Sequence, residues 1–223
     1  MELYNRSKLD KIKYKFQGIE TIDQNYSQSY QDIFILSMLN GKKNGTFLEI
    51  GAHHAEFISN TYLLESKFNW SGISIDIVDC DFSNRKAKFI KQDALKVDYK
   101  KLLSENFNSN QIDYLQIDIE PMEITFECLK KIPFSDYRFS VITYETDYYC
   151  QKTSVEKKEY VKSKSRDHIQ SHGYELVVGD VCNIGNDPFE DWYIDPTVIS
   201  DQIYKYYTKD VNFNKKAEQF IFL

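Results

Sequence analysis

No apolar run in this chain approaches the roughly 20 residues that a membrane-crossing helix needs, which excludes a helical membrane span. There is no excess of positive charge either. With 28 lysines and arginines against 34 aspartates and glutamates, the net charge is −6. That argues against a nucleic-acid protein working through a broad basic surface, a local patch aside. The four cysteines, Cys80, Cys128, Cys150 and Cys182, are far apart and form no C-x-x-C pair. Structural zinc from this set is not expected, and a reduced, cytoplasmic setting is the simplest reading. The opening stretch MELYNRSKLDKIKYKF has charges but no apolar centre, so it does not read as a secretory signal. Internal repeats and low-complexity linkers are absent as well.

What remains is a sequence of 223 residues, 28% charged and 42% hydrophobic, which suits a soluble globular protein with one sizeable core. The 17 tyrosines and 15 phenylalanines fit either that core or a ring-lined pocket for a sugar or base. Residues 1–26 are polar and lysine-rich and read as an arm or lid. A catalytic core over 27–196 and a partly helical extension over 197–223 follow, all within one domain. Ser27 to Leu39 has apolar residues at helical spacing. Thr46–Ile50, Gly72–Asp76, Ala87–Asp93, Ile112–Asp118 and Arg138–Glu145 read as strands. Helices are expected over Thr61–Phe68, Asp98–Phe107, Met122–Ile132 and Val155–Ser171, the last with a solvated lysine-rich face. YELVVGDV and DWYID read as late, antiparallel strands. This alternation predicts an α/β fold, Rossmann-like, with a mostly parallel sheet, an antiparallel last strand and helices on both faces.

The segment from Thr46 to Asp76 carries the functional signal. It reads as a strand, a turn at Gly51, a helix and a second strand ending on an acid, and such an acid is where Rossmann-type domains hold ribose hydroxyls. Glu49, Asp76, Asp93 and Asp118 all fall at or beside strand ends, where ligands of open α/β sheets sit. Gly51, lacking a side chain, would let the chain pass close to a ligand. After it come Ala52, His53, His54, Ala55 and Glu56, which are not a G-x-G-x-x-G pyrophosphate cradle. That favours a nucleoside cofactor without phosphates over NAD(P), and S-adenosylmethionine fits. Its carboxylate would take hydrogen bonds from backbone amides near Gly51.

These residues resemble the FkbM-type S-adenosylmethionine-dependent methyltransferases, over Ser27 to about Pro196. The family's S-x-x-G-Q-D is matched by Ser27 to Asp32 with Tyr30 in place of glycine. Its acid followed by I-G-A and later S-N-T is matched by Glu49, Gly51 and Ser59-Asn60-Thr61, its W-x-G-I-x-I-[DE] by Trp70 to Asp76, and its L-x-[ILV]-D-x-E-G-x-E by Leu115 to Glu123, with Pro121 in place of glycine. The resemblance implies that Gln31, Glu49, Gly51, Ala52, Ser59, Asn60, Asp76 and Asp93 bind the cofactor. Within that set Glu49 and Gly51 would line the methionine end, Asp76 the ribose and Asp93 the adenine edge. It also implies methyl transfer to a hydroxyl of a nucleotide-linked sugar or glycan in surface polysaccharide biosynthesis.

Asp118 and Glu145 end neighbouring predicted strands, so with Glu120 they are candidates for positioning and deprotonating an acceptor. The same carboxylates could hold Mg²⁺, and Glu120 and Glu123 could instead cap the following helix. His54 is a further candidate base. His168 and His172, four apart on a helix, read as a surface pair. NDPFEDWYIDP (186–196) reads as either an edge hairpin or a substrate-facing lip. No nucleic-acid partner and no membrane span are expected, and a homo-oligomer is compatible with the chain. A rival from another class is a catalytically silent binding or scaffold protein, for which His53-His54-Ala55 and Pro121 are the best arguments.

Overall fold

Short runs of β-branched and aromatic residues, apolar on both faces, form the strands, as a sheet covered on both sides requires. They are Thr46–Ile50 (β1), Ser71–Asp76 (β2), Lys88–Lys91 (β3), Gln111–Ile117 (β4), Arg138–Glu145 (β5), Glu175–Cys182 (β6) and Pro188–Ile194 (β7). The computed structural model describes residues 10–182, 188–208 and 215–223. Among these, the strands make one sheet in the order β3-β2-β1-β4-β5-β7-β6. The first five are parallel, and β7 runs antiparallel to both β5 and β6. The fold is thus Rossmann-like, with a mostly parallel sheet and an antiparallel last strand, as expected.

Side-chain alternation along each strand divides the core into two layers. Phe47, Tyr114, Val141 and Trp192 face one side, with helices Gln31–Met38 (α1) and Tyr62–Phe68 (α2) packed there. Leu48, Leu115, Ile142 and Tyr193 face the other, against Tyr99–Asn106 (α3), Met122–Leu129 (α4) and Val155–Ser171 (α5). Asp201–Thr208 (α6) and Ala217–Ile221 (α7) complete the first layer, through Ile203 and Phe220. No helix among the described residues is long and apolar enough to cross a membrane.

The segment from Asp10 to Tyr26 lies on the first layer, with Ile12, Phe16 and Ile22 fully buried. It is tied to α7 by the Lys13 amide donating to the Ile221 carbonyl (2.9 Å) and the Leu223 amide to the Lys11 carbonyl (2.8 Å). The rest of the expected arm, residues 1–9, lies outside the described residues.

The helix expected from Ser27 begins four residues later. Asp32 is the reason: its carboxylate accepts from the amides of Tyr26 (2.7 Å), Ser27 (3.2 Å) and Ile33 (2.8 Å), closing the preceding residues into a turn. Tyr30 there has φ 63°, the left-handed region that glycine occupies without penalty. A tyrosine keeps that conformation at a cost of about 1–2 kcal/mol. Its buried ring packs edge-on against Phe222, 4.9 Å between centroids, which offsets that cost.

Candidate functional site

β1 has β2 on one side and β4 on the other, so the crossovers leaving its end diverge and open a crevice there. A cleft of about 720 Å³ occupies this switch point. It is lined by Gln31, Glu49, Gly51, Ala52, Asn60, Asp76, Asp118, Glu120 and Glu145, among others, and, among the described residues, by no lysine or arginine. Nine of the twelve residues expected at the site are thereby brought together from six segments of the chain.

The floor is the turn after β1. The amides of Gly51 (2.9 Å) and Ala52 (3.2 Å) donate to the Ile75 carbonyl, and that of Asp118 to the Ile50 carbonyl (2.9 Å). Gly51 has φ 87°, and a Cβ there would stand 1.7 Å from the Asp118 carbonyl oxygen. Glycine is therefore required by the chain's own backbone rather than by close approach to a ligand. The His53 amide donates to Asp76 Oδ2 (2.8 Å) and the Val78 amide to Oδ1 (2.8 Å), fixing the β2 carboxylate at the rim. With the amides of residues 51, 52 and 53 all engaged, they are not the carboxylate cradle that the sequence suggested.

Glu49 is buried in the floor, accepting from the hydroxyls of Thr61 (3.0 Å) and Ser74 (2.5 Å). Burial raises its pKa to about 6, against the lowering effect of the Arg85 guanidinium. Arg85 comes from the β2–β3 loop and carried no signal in the sequence. Its side chain is fully buried, ion-paired to Glu65 (3.2 Å) and donating to Thr61 (2.9 Å). Asn60 donates to Gln116 (2.9 Å), whose own amide donates to the Gly51 carbonyl (3.3 Å). Gln31 donates to Glu190 (2.9 Å).

Three expected residues lie elsewhere. Ser59 is buried beneath the cleft, where its hydroxyl accepts from the Tyr62 amide (3.1 Å) at the start of α2. Asp93 caps a 3₁₀ turn, accepting from the Leu95 amide (2.9 Å) and pairing with Lys96 (3.4 Å). His54 is exposed and stacks at a tilt on His53, 4.1 Å between centroids; the ring that lines the cleft is that of His53.

Acids dominate the far wall. Asp118 and Glu145, at the ends of adjacent β4 and β5, both line the cleft, and the charge of the one acts on the other. Burial and this neighbouring charge push the Glu145 pKa well up, and burial raises that of Asp118. Glu145 also stands directly opposite Glu190 of β7 in the ladder, where like charges are unfavourable. Glu190 accepts from Trp192 Nε1 (2.8 Å) and, through burial, has its pKa raised to about 8. Just beyond β5, Asp147 is raised to about 7 by burial and by the charges of Glu120 and Asp118. Glu120 accepts from the Tyr149 hydroxyl (3.1 Å). Among the described residues no hydrogen bond of good geometry reaches Glu145 Oε2 or either oxygen of Asp147.

Asp147, Glu190, Gln116 and Tyr149 were not singled out in the sequence. Glu190 lies in the expected lip, yet β7 is an interior strand: Trp192 and Tyr193 are fully buried, and of that segment Phe189 lines the cleft. Asn186 and Asp187 lie outside the described residues. The hydroxyl and carboxylate chemistry expected of a lip is replaced by packing, with Trp192 stacked on Phe34 at 4.5 Å. His168 and His172 sit beside Phe134 and against one another, 4.9 Å between their own centroids. Among the described residues no group of three or more His, Cys, Asp or Glu side chains is arranged to hold a metal ion.

No protein-family model and no curated protein matches the chain. Among solved structures it is similar to an S-adenosylmethionine-dependent methyltransferase from Aquifex aeolicus, at 13% identity, covering 74% of this chain and 89% of that one, with a TM-score of 0.45. It is similar to a ribosomal RNA methyltransferase from Plasmodium falciparum at 13% identity, 75% and 96% coverage and a TM-score of 0.44. An rRNA methylase from Streptococcus thermophilus gives 11% identity, 74% and 93% coverage and a TM-score of 0.42. Likeness at this level concerns the course of the backbone and says nothing of substrate.

Proposed function

We propose that the chain is an S-adenosylmethionine-dependent O-methyltransferase of the FkbM type, acting on a sugar hydroxyl of a glycan or nucleotide-linked sugar. The observation that carries this reading is the charge of the cleft: it lies at the sheet's switch point, holds five carboxylates and, among the described residues, is lined by no lysine or arginine. A phosphate-bearing dinucleotide is disfavoured there, whereas a nucleoside carrying a sulfonium and an ammonium group is matched.

The residues fit such a cofactor. Asp76 is held at the rim by two backbone amides and keeps lone pairs for ribose hydroxyls. Ile77 and Val78 follow it with exposed apolar side chains, a surface suited to one face of a base. Glu49, Gln31 and Asn60 supply polar groups toward the opposite end. When bound, the cofactor supplies an electrophilic methyl group. The chain's own part is orientation of the acceptor oxygen, the large term for such a transfer, and removal of its proton. Asp118 and Glu145, whose pKa values burial raises, are the carboxylates placed to accept that proton. Tyr149 and Glu120 stand beside them to hold neighbouring hydroxyls.

Calorimetric titration with S-adenosylhomocysteine tests the reading. Micromolar affinity is expected, with Asp76→Ala weakening it about 10- to 100-fold by loss of charged hydrogen bonds. Asp118→Asn should bind within about threefold of the parent and lose about 10²–10⁴ in kcat. Absence of binding in the parent chain would overturn the proposal in favour of a silent scaffold, and equal loss of binding in both variants would dissolve the division of roles.

A further inference from the structure

The lip expected on β7 is an interior strand, yet rings do stand at the mouth of the cleft, and they come from the segment after β1. His53 lines the cleft, His54 stacks on it at 4.1 Å between centroids, and Phe57 meets His54 edge-on at 6.0 Å. All three are exposed, Phe57 by 56%. They form a track that begins inside the cleft and leads out of it. Holding the track in place strains the chain at both ends. His53 has φ 48° and Ile58 φ 52°, left-handed values that are unfavourable for any side chain and most of all for a β-branched one. Between these two residues the backbone is tied down. The Cys80 thiol donates to the His53 carbonyl (2.8 Å), the buried Arg85 guanidinium donates to the Ala55 carbonyl, and Ile58 forms a parallel bridge with Ser27. Strain maintained by surrounding tethers is characteristic of ligand-holding segments. Arg85, a cation with no part in the transfer itself, thereby acquires a task.

We propose that this track is a subsite for a second sugar of the acceptor. Phe57, with His54 beside it, stacks on the pyranose next to the one in the cleft, so the acceptor is a glycan of two or more sugars rather than a nucleotide-linked monosaccharide. The inference rests on the methyl-transfer reading for the reaction, but the subsite rests on the rim alone. One face of a pyranose presents C–H groups, and an aromatic face offers them apolar area and the negative side of its quadrupole. A track already held in position loses little freedom on binding, so that even one stacked ring adds to affinity. A nucleotide-linked sugar would instead bring a diphosphate to a cleft whose lining has five carboxylates and, among the described residues, no lysine or arginine. Glu56, exposed between His54 and Phe57 in the chain, adds to that charge and can accept sugar hydroxyls.

The test is calorimetric titration of the full chain with glucose, mannose, galactose and xylose and with the disaccharide and trisaccharide of each series. UDP-glucose, UDP-galactose, UDP-xylose and GDP-mannose are titrated beside them, all with and without S-adenosylhomocysteine. In at least one series affinity should rise about tenfold or more from one sugar to two. Phe57→Ala should cut that rise below threefold, and Phe57→Trp should keep it. Affinities for the monosaccharide and for S-adenosylhomocysteine should stay within threefold in both variants, which shows that they are folded. No rise with length in any series, a rise that survives Phe57→Ala, or a nucleotide-linked sugar bound tenfold more tightly than its free monosaccharide would each overturn the subsite. Loss of S-adenosylhomocysteine affinity in Phe57→Ala would overturn it too, by placing the ring on the donor side. A rise that depends on Phe57 in a chain that fails to bind S-adenosylhomocysteine would keep the subsite and remove the methyl-transfer reading instead.

Discussion

Two groups of buried acids lie on β7, and the chain treats them in opposite ways. On one face Asp191 accepts two hydrogen bonds from Arg166 (2.8 Å each) and one from Tyr193 (3.2 Å), and it also accepts from the Asp180 amide (2.8 Å). Asp180 in turn pairs with Arg166 (3.0 Å) and Lys162 (3.2 Å). Burial works against the Arg166 charge, but Asp191 and Asp180 outweigh it and hold the guanidinium above its ordinary pKa. One residue earlier, on the other face, Glu190 looks toward Glu145 and Asp118, with neutral donors only. The first group is neutralised and closed, as a structural ion pair must be. Among the described residues the second has no cation beside it, and its members Asp118 and Glu145 line the cleft. Burial of a carboxylate is thus no guide to its role; the presence of a protein cation beside it is.

Removing the cation from the closed group should have the largest effect. Arg166→Met leaves Asp191 and Asp180 facing each other in the interior, and a loss of about 3 kcal/mol in unfolding free energy is expected, read by urea denaturation. A loss below about 1 kcal/mol would mean that the two groups do not differ as described.

The open group should show itself in pH. Glu190 and Asp147, raised to about 8 and about 7 chiefly by burial, hold protons more tightly in the folded chain than in the unfolded one. Glu49, Asp118 and Glu145 shift in the same direction. Their ionisation therefore destabilises the fold, and stability should fall as pH rises from about 4.5 to about 8, by a few kcal/mol in total. Melting temperatures taken at half-unit intervals would reveal the slope; a flat profile across this window would contradict it. The smallest effect is expected from Glu145→Gln, which removes a like charge opposite Glu190. A gain on the order of 1 kcal/mol at pH 8, shrinking toward pH 5, would place the repulsion at that pair.

Much of this arrangement was legible in the sequence because it follows from strand order. Acids at the ends of β1, β2 and β4 must converge if those strands are parallel and adjacent, and Glu145 must join Asp118 if β5 is next to β4. What could not be read was set by events between strands. Ser59 and Asp93 fall outside the cleft lining, each accepting from a backbone amide of the turn that follows it. The His53–His54 pair gave no sign of which ring turns inward. Glu190 and the paired Asp191 alternate along a strand whose insertion between β5 and β6 has no signature in a single chain. Arg85, buried under the cleft from a loop, is the least readable of all: only the fold brings it to Glu65 and Thr61.

The contact between Gly51 and the Asp118 carbonyl has a mechanical meaning. With no room for even a methyl group between them, the turn after β1 and the strand end that carries Asp118 have no clearance in which to slide. The two sides of the cleft are geared together there, so that turn cannot be reshaped while Asp118 keeps its aim. Variation that preserves this arrangement has to enter from the rim, through the loops bearing His53, Ile77 and Tyr149, and leave this tooth of the gear untouched.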